Sequence, residues 1–202
     1  MNIYYVPYEE IDFDKWDKTL MQSFNGNVFG MSWFLNRVTA RWDALVADEY
    51  NRVMPLPRRK KFFINYIYQP FLTRQLGVYS RKSLSRDATQ QFIEAIPHYF
   101  RYVDLNLNIF NVVEAPGKRS IPLFSYELDL IPEFTQLKTG FSDELMQHIN
   151  QATEDGIQVV KNVSLHAFMQ FARTHLSMQV MWFNETHFLM LKNLAAFGLN
   201  KR

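Results

Sequence analysis

The chain has 202 residues, of which 48% are hydrophobic and 16% aromatic, with 18 Phe and 10 Tyr. This length and composition can fill the core of one large domain and exclude a disordered or low-complexity protein. The net charge of +2, from 22 basic and 20 acidic residues, is too weak for the global field of a typical nucleic-acid-binding protein.

The chain contains no Cys, which excludes disulfides and thiolate ligands and fits a reducing compartment. Its start has neither a basic nor an apolar signal region, and no apolar run approaches the ~20 residues of a membrane span. We therefore expect a cytoplasmic protein with no membrane partner.

The first forty residues predict a strand followed by two helices. Asp12 or Asp14 can cap the first helix, which would place Trp16, Leu20 and Phe24 on one face. Ser32 is a suitable N-cap for a second helix.

Residues 42–69 predict three antiparallel strands, because short apolar runs alternate with turn-prone or charged residues. The third run is apolar on both faces, which is typical of a central strand covered twice. We expect four side chains of this meander to be buried: Leu45, Val53, Ile64 and Ile67.

The second half of the chain predicts further alternation of helices and strands. Ser85 begins a helix that Pro97 should kink or end, and Ser142 begins another that ends at Gly156. Strands are expected at 102–108, 123–130 and 157–160, and two last helices at 165–176 and 187–198. This order differs from the strict alternation of a doubly wound fold.

Three stretches, in this order and spacing, resemble the FemABX aminoacyltransferases and their GNAT-fold relatives over residues 29–177. They are VFGMSWFLNRV, WDALVADEYNRVMPLPRRKKFFINYIYQPF, and SYELDL followed by a helix ending in Ala152 and Gly156 and by IQVV. The resemblance implies a mixed α/β, GNAT-like fold: a central mixed sheet with an antiparallel meander, flanked by helices. It implies a GNAT-like domain over 1–162, and a helical segment over 163–202 that leads toward a second GNAT-like half outside this chain.

The resemblance also implies transfer of an acyl or aminoacyl group to a small-molecule or peptide amine, without a covalent enzyme intermediate. The co-substrate would be acyl-coenzyme A or aminoacyl-tRNA, with no tightly bound cofactor and with tRNA as a partner. Because one half alone is present, we expect this chain to be incomplete or inactive by itself. The alternative is a non-catalytic binding or interaction module on the same fold. Apolar residues in the last helix predict that it packs back or forms a weak homodimer.

A phosphate-binding loop is one hypothesis for residues 74–79, by analogy with the coenzyme A loop of GNAT enzymes. Arg74 and Gly77 fit that pattern, with Gln75 between them as a further binding residue, whereas Tyr79 stands where a small residue is needed. Further residues would complete an anion site at the following helix start: Arg81 and Ser85. The alternative is an ordinary turn with solvated cations.

A polar crevice at the sheet edge is the second hypothesis, because buried amides need partners. Asp104 would be the base for the incoming amine, assisted by a hydroxyl of Tyr66 or Tyr68. The substrate-binding residues would be Asn65, Gln69 and Asn106. Structural hydrogen bonding, or solvent exposure of Asp104, is the alternative.

The basic run at 58–61 precedes Phe62 and Phe63, so a hairpin there could meet phosphate beside a stacking platform, or could be a solvated turn. The five His are scattered without metal-ligand spacing, so no metal site is expected.

Overall fold

The computed structural model describes residues 1–114, 119–179 and 183–200. They form a mixed α/β protein whose strands are β1 Ile3–Val6, β2 Trp42–Ala47, β3 Arg52–Lys61, β4 Ile64–Ile67, β5 Tyr79–Ser80 and β6 Phe100–Val103. The helices are α1 Phe13–Gln22, α2 Ser32–Val38, α3 Arg86–Glu94, α4 Phe134–Thr139, α5 Asp143–Glu154, α6 Leu165–Gln179 and α7 Glu185–Asn200. None of the helices in the described ranges is both long and apolar enough to cross a membrane.

The strands form one mixed sheet in the order β1-β2-β3-β4-β6, and the short β5 also pairs with β3. The first four strands are antiparallel neighbours, which confirms the predicted meander. Strand β6 runs parallel to β4, with α3 in the connection between them. The sheet therefore changes from antiparallel to parallel pairing at β4.

Two apolar clusters lie on the two faces of β2, and every residue of this strand is buried. Trp16 and Trp42 belong to the first cluster, with ring centroids 4.8 Å apart. The second cluster contains Leu45, Ile67 and Phe92. Side chains alternate along a strand, so a central strand that is buried on both faces joins both halves of the core.

The predicted start of α1 is confirmed, since the Asp12 carboxylate accepts the backbone N–H of Lys15 at 3.0 Å. Phe24 lies beyond the end of α1 and is half-exposed. Ser32 was wrongly expected to cap α2, because it is the first residue inside that helix. Its hydroxyl donates to Asp17 at 2.6 Å and so joins α2 to α1.

The burial prediction for the meander is confirmed for Leu45, Val53 and Ile67 and is wrong for Ile64, which is 51% exposed. Ile64 pairs with Lys61 directly beside the hairpin turn, where the ends of both strands are exposed. The start of β4 is therefore not the doubly covered central strand that its composition suggests.

The strand expected at 102–108 is displaced to Phe100–Val103. Beyond Val103 the chain leaves β4 and forms a single parallel bridge between Leu76 and Leu107. A segment with alternating polar and apolar residues can therefore pair with a loop instead of with a neighbouring strand.

Residues 123–130 and 157–160 were expected to be strands, but both are non-regular and exposed. Large apolar side chains project from them, and Phe124 and Tyr126 are each more than nine-tenths exposed. Alternation favours an extended chain, but a strand also needs a neighbour to accept its backbone hydrogen bonds. The helix between them is confirmed as α5, capped by the hydroxyl of Ser142, and α4 was not predicted.

The last two helices are confirmed, and α7 packs back against α2. The ring of Phe197 stacks on Trp33 with centroids 4.6 Å apart, and Phe188 is buried. Packing back was one of the two outcomes expected for this apolar helix.

Candidate functional site

The carboxyl ends of β4 and β6 meet at one edge of the sheet because the two strands are parallel. Gln69 lies two residues past the end of β4, and Asp104 follows β6 directly. The N–H of Asp104 donates to the carbonyl of Ile67 at 3.1 Å, which holds the two strand ends together. This edge is where the sequence predicted a polar crevice.

Two of the predicted substrate-binding residues do meet at this edge. The side-chain oxygen of Gln69 accepts the backbone N–H of Asn106 at 3.0 Å, and its amide N–H donates to the carbonyl of Thr73 at 2.9 Å. The Asn106 amide donates to the carbonyl of Arg74 at 3.4 Å. These bonds join the loop after β4 to the chain after β6, as in the structural alternative.

The predicted tyrosines and Asn65 do not join that cluster. Tyr66 and Tyr68 lie on the face of the sheet that carries α2, where the Tyr68 hydroxyl donates to Thr39 at 2.9 Å. Strand alternation places Asn65 on the opposite face. The Asp104 side chain is exposed at this edge, so solvent reaches its carboxylate.

The loop predicted to cradle phosphate uses several of its amides internally. The N–H of Leu76 donates to the carbonyl of Asn106 at 2.7 Å, and that of Val78 donates to the Asn111 side chain at 2.6 Å. Gly77 has a φ of +110°, and a Cβ there would collide with the Asn111 oxygen. The absence of a side chain at Gly77 therefore lets Asn111 approach the loop backbone. In the phosphate-loop hypothesis, a phosphate would make this close approach.

Tyr79, the bulky departure from the loop pattern, is fully buried, and its hydroxyl donates to the side chain of Asn27 at 3.0 Å. Burial raises the pKa of this phenol above its ordinary value.

The cations next to the loop also have partners. Arg81 donates to the side chain of Asn51 at 3.3 Å, and Arg86 pairs with Glu114. The hydroxyl of Ser85 accepts the N–H of Ala88 and so serves as the N-cap of α3. Gln75 is partly buried in the loop beside Leu76.

Sequence reasoning missed a network of three buried asparagines. The Asn111 amide donates to the carbonyl of Val78 at 3.0 Å and to the Asn108 oxygen at 2.9 Å. Asn25 accepts the N–H of Ser80 at 3.1 Å. The closely spaced Asn residues after β6 were the available signal, but their partners are far away in sequence.

A buried carboxylate on β2 was also missed. Asp43 has no exposed surface, pairs with Arg58 and accepts the hydroxyl of Tyr5 at 2.5 Å. The backbone N–H of Tyr8 donates to it at 3.1 Å. Burial, followed by the hydrogen bond to Asp43, raises the pKa of the Tyr5 phenol above its ordinary value.

Two surface cavities lie away from the predicted site residues. One of about 280 Å³ lies between α6 and α7, against Phe168 and Leu199. The other, of about 520 Å³, is lined by Arg37 and Phe197. Within the described ranges, no three His, Asp or Glu side chains are grouped as metal ligands would be.

Comparison of the chain with protein-family models, with curated proteins and with solved structures finds no match.

Proposed function

We propose that this chain forms a GNAT-like domain that binds a carrier-linked acyl or aminoacyl group and an amine at the carboxyl ends of β4 and β6. The observation that carries the proposal is the change from antiparallel to parallel pairing at β4, with an irregular register between Asn65 and Tyr66. In open α/β sheets, ligands bind outside the carboxyl ends of strands where the topology switches. The resemblance to the FemABX proteins supplies the reaction class.

In the proposed reaction the amine nitrogen attacks the carbonyl carbon of the donor. A C–N bond forms, the C–S bond of acyl-coenzyme A or the C–O bond of aminoacyl-tRNA breaks, and the leaving group takes a proton. Asp104 would accept the proton that the amine loses, because its carboxylate is exposed at this edge. Gln69 and Asn106 would position the surrounding loop. Such a domain would act in the cytoplasm on a small-molecule or peptide amine.

Binding is the sharper test, because the resemblance implies that one half alone does not turn over. We would titrate ¹⁵N-labelled chain with acetyl-coenzyme A and with a 3′-amide analogue of aminoacyl-adenosine, following backbone amide shifts. Saturable shifts at Gln69, Asp104 and Asn106 are expected, and Gln69→Ala should remove them. Gln136→Ala, on the exposed surface of α4, is the matched control.

Two outcomes would change the proposal. If neither donor shifts these amides, the transferase interpretation fails. If the chain turns over a donor with an amine panel, and Asp104→Asn lowers the rate by about 10²- to 10⁴-fold, it is a self-sufficient enzyme.

The second candidate function is a non-catalytic binding module. A specific observation favours it: the side-chain amides of Gln69 and Asn106, and the backbone amides of Leu76 and Val78, all make internal hydrogen bonds. A site whose donors are already occupied holds its own loops in place. Absence of donor binding, together with binding elsewhere on the chain, would establish this candidate.

A further inference from the structure

The β3–β4 hairpin and the neighbouring strand β6 present a surface of cations and aromatic rings, here called the hairpin surface: Arg59, Lys61, Phe62, Phe63, Tyr66 and Tyr102. All of these residues are exposed except Tyr66, which is half-buried. Arg59 pairs in register with Tyr66, and Tyr66 pairs with Tyr102 on β6. Register partners lie on the same face of a sheet, so the two tyrosines stand side by side on neighbouring strands. The two phenylalanines form the turn at the tip.

Three of the four rings of this surface are open to solvent. Phe62 is 82% exposed, Phe63 is 92% exposed and Tyr102 is 60% exposed. Cations lie near several rings of the hairpin: Lys60 is 5.7 Å from the Phe63 centroid and Lys61 is 5.5 Å from that of Phe62. Residues 58–69 contain four cations and no carboxylate, and of these cations Arg58 is paired with Asp43. Positive charge and aromatic rings thus coincide on one surface.

The turn itself is unfavourable for these residue types. Phe62 and Phe63 have φ values of +47° and +64°, the left-handed conformation that a two-residue type I′ turn requires. Asn-Gly is the pair that such a turn favours, and bulky side chains there are strained. The turn nevertheless carries two exposed aromatic rings, and strained residues concentrate at functional sites.

We infer that the hairpin surface binds a single-stranded nucleic acid. Phosphates would lie against Arg59 and Lys61, and successive bases would stack on the exposed rings. Proteins that bind single strands combine these two features, a cationic track and aromatic side chains. This inference does not depend on the proposed transferase activity.

The arrangement of the rings favours a single strand over other anionic partners. A further exposed ring lies on the sheet, at Tyr102 beside the half-buried Tyr66, so a strand that leaves the tip can stack another base there. A lipid surface would contact the tip alone, and a duplex keeps its bases stacked on one another and away from side-chain rings. The rings of Tyr66 and Tyr102 therefore favour a single strand over a lipid surface and over a duplex.

The test is fluorescence anisotropy of a labelled U10 oligonucleotide with the whole chain, at several salt concentrations. The main variant is Phe62→Asn/Phe63→Gly, which removes both rings and keeps the turn type. It should weaken binding by about 5- to 150-fold for each base that loses its stacking partner, with the salt slope unchanged. A second variant, Arg59→Gln/Lys61→Gln, should reduce the salt slope by about 1.4, because a single-strand contact contributes about 0.7 for each cation.

The control variant is Lys138→Gln/Lys161→Gln, which removes the same charge from exposed positions outside the hairpin and should change neither quantity. Equal binding by wild type and Phe62→Asn/Phe63→Gly would overturn the inference. So would equal affinity for a duplex of the same length, which would indicate charge attraction alone. Binding to phosphatidylserine vesicles, without binding to U10 or to the corresponding DNA oligonucleotide T10, would assign the surface to a membrane. It would refute the inference that the surface binds a nucleic acid.

Discussion

The side-chain oxygen of Asn111 accepts the N–H of Val78 at 2.6 Å and occupies the space that a Cβ on Gly77 would need. Asn111 can thus accept the buried N–H of Val78 only because Gly77, the residue before Val78, has no side chain. The loop conformation depends on this pair, and so does the position of the candidate site beside it.

Gly77→Ala should strongly destabilise the protein. The φ of +110° is unfavourable for alanine, and the added Cβ meets the Asn111 oxygen. We expect a loss of about 2–3 kcal/mol in the free energy of unfolding, measured by urea denaturation. Gly198→Ala, where a Cβ meets nothing within 4 Å, is the control and should not destabilise. A stable Gly77→Ala would contradict the loop geometry.

Asn111→Ala and Gly77→Ala should not be additive. Asn111→Ala alone leaves buried partners unsatisfied and should cost about 2–3 kcal/mol. In the double variant the collision is relieved, so its loss should be smaller than the sum by about 0.5–3 kcal/mol. A double-mutant cycle by chemical denaturation measures this coupling, and strict additivity would show that the two residues do not interact.

The protein should lose stability at alkaline pH. The pKa values of the Tyr5 and Tyr79 phenols are raised in the folded state. The unfolded state therefore releases both protons from about pH 10 upward while the folded state retains them. The stabilising contribution is complete below pH 10 and is lost as pH rises, by about 1.4 kcal/mol per pH unit for each tyrosine.

Tyr5→Phe should remove the contribution of one tyrosine to the fall in the free energy of unfolding with pH. Denaturation measured between pH 9 and pH 11 checks this. Tyr126→Phe, at a tyrosine that is 93% exposed, is the matched control and should leave the profile unchanged. A wild-type profile that is flat above pH 10 would contradict the prediction.

Phe62→Asn/Phe63→Gly should stabilise the folded chain, because Asn and Gly adopt left-handed backbone with little cost. We expect a gain of about 1–2 kcal/mol, seen as a rise of about 2–8 °C in Tm by circular dichroism. Phe134→Asn replaces an exposed Phe outside the hairpin and should give no such gain. A lower Tm for the turn variant would show that the rings pack against the protein.

Limited trypsin digestion should cut first within residues 119–163. Arg119, Lys138 and Lys161 lie there among exposed residues. Cleavage requires local opening, which is cheapest where few apolar contacts are buried. Mass spectrometry of early fragments checks this, and the internal control is Arg41, between α2 and β2. Initial cleavage at Arg41 would contradict the prediction.

Several features of the fold follow from sequence alone because their signals are local. Three capping side chains each accept a backbone N–H only three residues further along the chain: Asp12, Ser85 and Ser142. The alternation of apolar runs over 42–69 predicts the antiparallel meander, since the strands are joined by short turns. The Gln69–Asn106 contact was also expected as part of a polar cluster.

The remaining features were decided by tertiary structure, because they join residues that are distant in sequence. Asn111 acts on Val78 across 33 positions, and Tyr5 reaches Asp43 across 38. The exposure of Ile64 depends on which side chains pack over the start of β4, which no local pattern encodes. The sequence by itself determined which segments can form helices and strands. Only the tertiary structure decided which strands find a neighbour and which polar groups are buried, because pairing and burial depend on the whole chain.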